Sequence, residues 1–135
     1  NVNILTGASG RMMGGLGGGP DVAAGADVSI VALPIVRGRI PSVVERVEAR
    51  CTPGDTVACV VTQAGVALNP RHRSYPMLRE DLAKSGIRLA SIEELCALAY
   101  SITGRPQPMT YTGRPVVKVE YRDGTILDVL QSRTV

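Results

Sequence analysis

A glycine-rich segment near the start of the chain holds the residues best suited to chemistry. Residues 6–20 read TGASGRMMGGLGGGP and include seven glycines. Without Cβ atoms, successive backbone N–H groups can point into one concave site, and a substrate can lie directly against the chain. Such a segment can cradle a phosphate, or it can form an oxyanion hole for an attacked thioester carbonyl. If the segment binds no ligand, the same glycines would form a mobile surface loop.

Polar side chains in and after this segment are candidate contacts to an anionic substrate. Arg11 lies inside the segment, where a long cation can reach whatever the loop holds. Arg37 and Arg39 follow an apolar run, at a position where sheet ends form binding crevices, although a solvated turn explains them equally well. Ser9 could donate a hydrogen bond to substrate or fix a local turn.

The glycine pattern does not fit a dinucleotide site. The short-chain reductase pattern T-G-x-x-x-G-x-G needs glycine at two positions that here hold Arg11 and Met13. Residues 14–19 would have to begin the following helix, yet five of the six are glycine, each costing about 1 kcal/mol relative to alanine. The acidic residue expected at the end of the second strand is also missing. A nicotinamide-dependent reductase is therefore disfavoured.

The elements that must position these residues alternate between strands and helices. Apolar runs predict strands over residues 2–5, 28–33 and 57–62, with an exposed strand in residues 41–55 that ends in a Pro-Gly-Asp turn. Helices are predicted over residues 20–26 and 77–85, and a third follows Ser91. The sequence predicts an α/β domain with a mixed sheet.

The last two elements carry the clearest local signals. Ser91 and Glu94 form a capping box, and Gly104 closes the helix that follows it. The apolar stripe of that helix comprises Ile92, Leu95, Leu98, Ala99 and Ile102. A terminal hairpin is predicted over residues 116–130 about an Asp-Gly turn. A two-residue turn would pair Tyr121 with Ile126 and Val117 with Leu130, with Lys118 and Glu120 on the other face.

Composition narrows the class of protein. A chain of 135 residues with 44% hydrophobic and 20% charged residues predicts one globular domain with one core, which we expect to be cytoplasmic. No apolar run approaches the roughly 20 residues needed to span a membrane, and no signal peptide is visible. The net charge of +3 and the 3% aromatic content disfavour nucleic-acid binding. Cys51, Cys59 and Cys96 lack metal-ligand spacing, so free thiols without a metal are expected.

Several polar residues have a structural interpretation beside the functional one. His72, the single histidine, stands between two arginines and is predicted to be an exposed loop residue rather than a base. Glu45 and Glu48 fall in the predicted exposed strand and are expected to be solvated. Asn69 begins an Asn-Pro-Arg stretch that is either a turn or a ligand clamp.

Five blocks in one order together resemble the C-terminal part of the citrate lyase alpha subunit, the citrate transferase component. The blocks are residues 6–31, 37–47, 52–71, 92–108 and 119–129. Residues 14–33 are also similar, more distantly, to a GxGGxxD stretch in coenzyme A transferases. The resemblance implies a CoA-transferase-like α/β fold with a mixed, mainly parallel sheet, flanking helices and a C-terminal β-hairpin. It also implies that residues 1–135 are one C-terminal domain of a longer subunit.

The resemblance implies a reaction and its participants. Acetyl-carrier and citrate would give citryl-carrier and acetate, with no tightly bound cofactor and with CoA, or a CoA-like group on an acyl carrier protein, as substrate. The implied partners are the carrier (gamma) and lyase (beta) subunits in an oligomer. A related CoA transferase or a thioester hydrolase acting on another acid stays open, and so does a module that only binds other subunits.

The resemblance also assigns roles within the glycine-rich segment. Gly17 and Gly18 match the pair whose backbone lies against the reacting thioester, which makes them the candidate catalytic residues. The resemblance also implies a binding role for Gly14, Gly15 and for Asp21, which matches the acid that closes the GxGGxxD stretch. The remaining candidate substrate-binding residues of this part of the chain are Ser9, Gly10, Arg11 and Gly19. The chain departs from the family pattern twice, where arginine is replaced by Met13 and histidine by Gly19. These departures bear on which carboxylic acid is accepted.

Overall fold

The structure, a computed structural model, describes residues 1–134 as a mixed α/β chain. Its helices are α1 (Gly19–Gly25), α2 (Tyr75–Lys84) and α3 (Ile92–Thr103), with a short 3-10 helix at Gly54–Thr56. Its strands are β1 (Ile30–Ala32), β2 (Val36–Arg37), β3 (Ile40–Pro41), β4 (Cys59–Thr62), β5 (Gly65–Leu68), β6 (Tyr111–Glu120) and β7 (Ile126–Arg133). Among the helices described, none is both long and apolar enough to cross a membrane.

The central sheet is mixed, but it is not mainly parallel. Its order is β1-β4-β5, with β1 parallel and β5 antiparallel to β4. The strand pairs β2-β3 and β6-β7 are both antiparallel, so the prediction of a mainly parallel sheet is wrong for the described strands. The reason is local: a tight turn at residues 63–64 joins β4 to β5, and a connection that short can join only antiparallel strands.

Two predicted strands at the start of the chain are shorter or absent. Residues 2–5 form no strand, because the side-chain oxygen of Asn3 accepts hydrogen bonds from the N–H groups of Leu5 (3.0 Å) and Thr6 (3.1 Å), which curls the backbone. Residues 28–33 contain only the three-residue strand β1. Ile30 in it is 59% exposed, and β1 is the edge strand of its sheet.

The exposed strand predicted within residues 41–55 is also wrong, because only Pro41 of that range lies in a strand, β3. Backbone N–H groups here bond to side chains from distant elements instead of to a neighbouring strand. Glu45 donates to the Tyr100 hydroxyl (3.1 Å) and Arg50 donates to a carboxylate oxygen of Asp128 (2.9 Å). The segment is therefore an irregular connection held by tertiary contacts.

The capping signals of α3 are confirmed, but only part of its apolar stripe is buried. In α3 the Ser91 hydroxyl accepts from the N–H of Glu94 (3.0 Å), and the Glu94 carboxylate accepts from the N–H of Ser91 (2.6 Å). Gly104 ends the helix at φ 77°. Leu95 and Ala99 are buried, but the other members of the predicted stripe remain exposed: Ile92, Leu98 and Ile102. The helix contacts its sheet along a face narrower than its apolar stripe.

The terminal hairpin is confirmed, with one part of its register wrong. Val117 faces Leu130 as predicted, but Ile126 faces Glu120 rather than Tyr121. The N–H of Tyr121 donates to the carbonyl of Thr125 (2.8 Å), which encloses a three-residue loop at residues 122–124, and the carbonyl of Tyr121 accepts from the N–H of Gly124 (2.9 Å). Gly124 closes that loop at φ 86°, the geometry of a three-residue hairpin turn with a bulge rather than a two-residue turn.

Ten of the buried hydrophobic residues described within residues 1–134 form two clusters rather than the single core that chain length predicts. The α3 cluster lies between α3, β5 and the β2-β3 ribbon and contains Ile35, Val43, Ala67, Leu95, Cys96 and Ala99. The hairpin cluster joins the start of the chain to the terminal hairpin and contains Leu5, Ala49, Cys51 and Val119. All three cysteines are free and buried, and burial raises the pKa of the Cys59 thiol.

Candidate functional site

The first half of the glycine-rich segment is a tight turn held by its own backbone. The N–H of Gly7 donates to the carbonyl of Arg11 (2.9 Å), and the N–H of Gly10 donates back to Gly7 (2.9 Å). The N–H of Met13 donates to the carbonyl of Leu5 (2.8 Å), a residue of the hairpin cluster, so this bond ties the returning chain to that cluster. This turn leaves the side chain of Arg11 exposed beside the remainder of the segment.

The second half, residues 14–18, presents unoccupied backbone donors. Within residues 1–134, none of its N–H groups donates a hydrogen bond. A Cβ atom placed on Gly14, Gly15, Gly17 or Gly18 would meet nothing within 4 Å, so these glycines are not explained by crowding inside the chain. Gly17 alone among them has a positive φ, of 58°. The segment therefore has both free donors and an open face.

One side chain anchors this otherwise unrestrained stretch. Leu16 is half-buried and packs against the hairpin cluster, together with Leu127 and Leu130 of β7. Because Leu16 lies between two glycine pairs, its burial determines where the neighbouring N–H groups lie relative to the hairpin. Sequence reasoning did not identify this residue, although a single leucine amid glycines was a visible signal.

Helix α1 follows the glycine-rich segment directly and contains Asp21, the acidic residue of the GxGGxxD stretch. Gly18 is its N-cap, and the N–H of Val22 donates to the Gly18 carbonyl (2.9 Å). Pro20 lies in the first turn, as predicted from the sequence, and it is buried. The exposed carboxylate of Asp21 faces Arg122 in the terminal hairpin, with Oδ1 at 3.6 Å from Nε. The acid thus already has a cationic partner in this chain.

The terminal hairpin also contacts the opposite end of the segment. The guanidinium of Arg133 donates to the carbonyl of Ser9. A Cβ on Gly10 would lie 2.5 Å from the Met109 sulfur, and Gly10 has φ 72°. Position 10 therefore needs glycine for its backbone conformation, and the hairpin holds the turn in place.

The structure places Arg37 and Arg39 away from these contacts. Both are exposed on the β2-β3 ribbon, which turns at Gly38 (φ 61°) and packs on α3. No hydrogen bond or ion pair connects either arginine to the glycine-rich segment across residues 1–134. Gly19 begins α1, and its Cβ position would contact Ile4 at 3.7 Å.

His72 is buried, so the prediction of an exposed loop residue is wrong. Its side chain is 6% exposed, and its Nδ1 accepts a hydrogen bond from the N–H of Ser74 (3.2 Å). The preceding turn is braced by Asn69, whose amide donates to the carbonyls of Gly54 (2.7 Å) and Val57 (2.8 Å). These bonds fold the segment inward and favour the turn interpretation of Asn69 over a ligand clamp.

The two acidic residues of the irregular connection have partners. The Glu45 carboxylate lies 2.9 Å from Arg105 Nη1, and Arg105 lies over the Tyr100 ring. Glu48 accepts a hydrogen bond from the Tyr111 hydroxyl. Burial and the Glu48 contact raise the pKa of Tyr111 to about 12. Both carboxylates are exposed as expected, but they fasten the connection to α3 and to the hairpin rather than being simply solvated.

Comparison with known proteins gives one consistent family. Residues 1–133 match the family model described as citrate lyase, alpha subunit (CitF). The chain is 50% identical over 130 residues to the citrate lyase alpha chain of Haemophilus influenzae, and 48% identical over 131 residues to that of Klebsiella pneumoniae. These matches cover 96% and 97% of this chain but only 25% of each relative.

A solved structure agrees with these matches. It is described as the putative alpha subunit of citrate lyase from Streptococcus mutans in complex with citrate. It superposes on the whole of this chain with a TM-score of 0.94 at 42% identity, and this chain covers 26% of it. The chain therefore spans about a quarter of the length of the relatives that it matches.

Proposed function

Because the chain belongs to the citrate lyase alpha subunit family, we propose that it contributes the glycine-rich part of a site that exchanges acetate for citrate on a thioester carrier. Acetyl-carrier and citrate would give citryl-carrier and acetate. We propose further that the whole subunit has a CoA-transferase-like fold and works with carrier and lyase subunits. The chain spans about a quarter of its relatives, so the rest of the site would lie in the remainder of the subunit.

In the proposed reaction the substrate's own carboxylate is the nucleophile. An oxygen of a citrate carboxylate attacks the thioester carbonyl carbon, and the carrier leaves as a thiolate when the tetrahedral intermediate collapses to a mixed anhydride. The thiolate then attacks the citryl carbonyl of the anhydride, which forms the citryl thioester and releases acetate. Negative charge develops on a carbonyl oxygen in both steps, so backbone donors are the catalytic groups that the reaction needs.

The free donors of residues 14–18 are the observation that supports this role. Their N–H groups are unpaired in the described chain, and their glycine faces are open. An intermediate with an oxyanion would supply the missing acceptors, with Gly17 and Gly18 as the closest donors to the reacting carbonyl. The exposed side chain of Arg11 would contact a carboxylate of the acid or the anionic carrier.

Gly18 allows a sharp test of the proposal in the full-length subunit. Its φ of -87° suits any residue, and an added Cβ atom meets nothing within 4 Å, so Gly18→Val should fold normally. Occupying the open face should displace the thioester and lower turnover by roughly 10² or more, the scale of losing one oxyanion donor. Turnover is measured as citrate-dependent acetate release from the acetyl-carrier.

Gly25→Val is the matched control, because Gly25 also has open space at Cβ and lies at the far end of α1. It should retain turnover near that of the unsubstituted subunit. Equal activity of the Gly18→Val and Gly25→Val variants would overturn the role of the segment. Acetate release that does not depend on citrate would instead identify a thioester hydrolase.

A further inference from the structure

A polar cavity of about 280 Å³ lies at the end of α1 opposite the glycine-rich segment. Alanines at the end of α1 form one side of it, and its polar lining comes from Asp55, Thr56, Arg71, His72 and Arg73. We refer to it as the His72 cavity. None of these residues is used by the exchange reaction as derived above, and the segment from 69 to 74 that forms the cavity is firmly braced by Asn69.

His72 presents a donor to this cavity from a buried position. The ring is more than nine-tenths buried, and because Nδ1 accepts from the N–H of Ser74, the neutral ring carries its proton on Nε2. No hydrogen bond to Nε2 is present in the described part of the chain. No fully enclosed side-chain nitrogen or oxygen within residues 1–134 lacks a partner, so the unpartnered Nε2 is not fully enclosed, and His72 lines the cavity. An unpaired N–H group there is suited to an anionic oxygen.

The charges around the cavity favour the same chemistry. Arg73 is held in place, with Nη2 at 2.9 Å from Asp27 and 3.1 Å from the carbonyl of Ala26. Arg71 forms no ion pair with any described residue and is free to contact a ligand. Asp55 is the single acidic residue in the lining, against two arginines. The Asp55 carboxylate can accept from a hydroxyl next to the anion.

We propose that the His72 cavity binds a phosphate group, held by the Arg71 guanidinium and the Nε2–H of His72. Assigning that phosphate to the CoA-like carrier rests on the proposed function. The seven residues of α1 separate the cavity from the glycine-rich segment by roughly 10 Å along the helix. A CoA-like group carries its thioester and its phosphates at opposite ends of a flexible arm, so one molecule can occupy both places.

Calorimetric titration of the full-length subunit with pyrophosphate tests the anion site directly. Arg71→Ala and His72→Asn should each weaken pyrophosphate binding by roughly tenfold or more, the scale of a lost charge-assisted hydrogen bond. The asparagine oxygen can still accept from the N–H of Ser74, so His72→Asn removes the Nε2 donor while retaining the internal bond. Arg79→Ala removes an equal charge from α2, outside this cavity, and should bind pyrophosphate normally.

A second pair of titrations identifies the source of the phosphate. Arg71→Ala should weaken the binding of CoA by roughly tenfold and leave that of phosphate-free pantetheine unchanged. No pyrophosphate binding, or equal weakening by Arg79→Ala, would overturn the phosphate site. Weakened binding of citrate instead of pyrophosphate would show that the cavity takes a carboxylate. Pyrophosphate binding with unchanged CoA affinity would overturn the assignment to the carrier.

These outcomes are independent of the exchange reaction. The Gly18→Val experiment measures turnover at the glycine-rich segment, whereas pyrophosphate binding is measured without any thioester. If Gly18→Val kept full turnover while Arg71→Ala still weakened pyrophosphate binding, the phosphate site would stand and the proposed function would be overturned.

Discussion

Arg122 in the loop of the terminal hairpin lies with its Nε atom 3.6 Å from Oδ1 of Asp21 in the first turn of α1. The pair joins two elements that are far apart in the sequence, directly behind the glycine-rich segment. The two side chains are 56% and 59% exposed, so their contribution to stability is only about 0–1 kcal/mol. The main effect of the Asp21–Arg122 ion pair is therefore to fix the position of α1 relative to the hairpin.

If the role of Asp21 is positional, removing either partner should have the same effect. We expect Asp21→Asn and Arg122→Ala to lower turnover of the full-length subunit to a similar extent, by at most about fivefold. The double variant should lose no more than either single variant, because the two changes remove one interaction. A much larger loss for Asp21→Asn than for Arg122→Ala would show that the carboxylate contacts substrate itself.

Leu16→Ala should loosen the glycine-rich segment from the hairpin cluster. Truncating a half-buried leucine should lower the free energy of unfolding by about 1–2 kcal/mol, measured by urea denaturation. Turnover should fall as well, because the neighbouring donors lose their fixed position. Met13→Ala is the control: that side chain is 73% exposed, and its loss should change stability by less than about 0.5 kcal/mol. Equal effects of the two substitutions would contradict the anchoring role.

Asn69→Ala tests the turn interpretation. It removes both donors to the carbonyls of Gly54 and Val57 and the acceptor for the N–H of Arg71. We expect a loss of about 1–3 kcal/mol in the free energy of unfolding, because groups that are partly buried lose their partners. Unchanged stability combined with weaker substrate binding would favour the ligand clamp.

Tyr111 makes stability depend on pH in the alkaline range. Its hydroxyl has a pKa raised to about 12, by burial and by the hydrogen bond to Glu48, against about 10 in an unfolded chain. The folded state therefore holds the proton more tightly. This contribution is complete below about pH 10 and is lost as the pH rises towards about 12.

Tyr111→Phe should flatten that part of the profile when the free energy of unfolding is measured from about pH 9 upwards. The change should be small, because the side chain is 40% exposed and solvent screens the contact. Tyr75→Phe removes a hydroxyl from α2 instead and should leave the profile unaltered. An identical slope in the Tyr111→Phe variant would show that the Glu48 contact does not contribute.

Signals that act over a few residues were readable from the sequence. The capping box of Ser91 and Glu94 depends on neighbours three positions apart, and α3 begins where it predicts. The Asp-Gly turn located the terminal hairpin for the same reason. The order of five sequence blocks also identified the family, which the relatives confirm.

The rest of the register and of the burial pattern was not readable, because it depends on partners distant in the chain. The hairpin register depends on whether the loop holds two or three residues, and this depends in turn on the backbone conformation at Gly124. His72 was predicted to be exposed because both neighbours are charged. Its burial follows from the turn that Asn69 fastens to Gly54 and Val57.

The candidate site divides along the same line. The sequence by itself determined that residues 6–20 would be rich in glycine, whose backbone N–H groups no side chain hinders. Several N–H groups of the first half are paired in a turn, and those of residues 14–18 donate to no group in the described chain. Only the tertiary structure decided what holds those donors in place. The contacts of Leu16 with the hairpin cluster, of Asp21 with Arg122 and of Ser9 with Arg133, 124 positions away, all cross the chain. Such contacts form when packing brings distant elements together, so no local pattern encodes them.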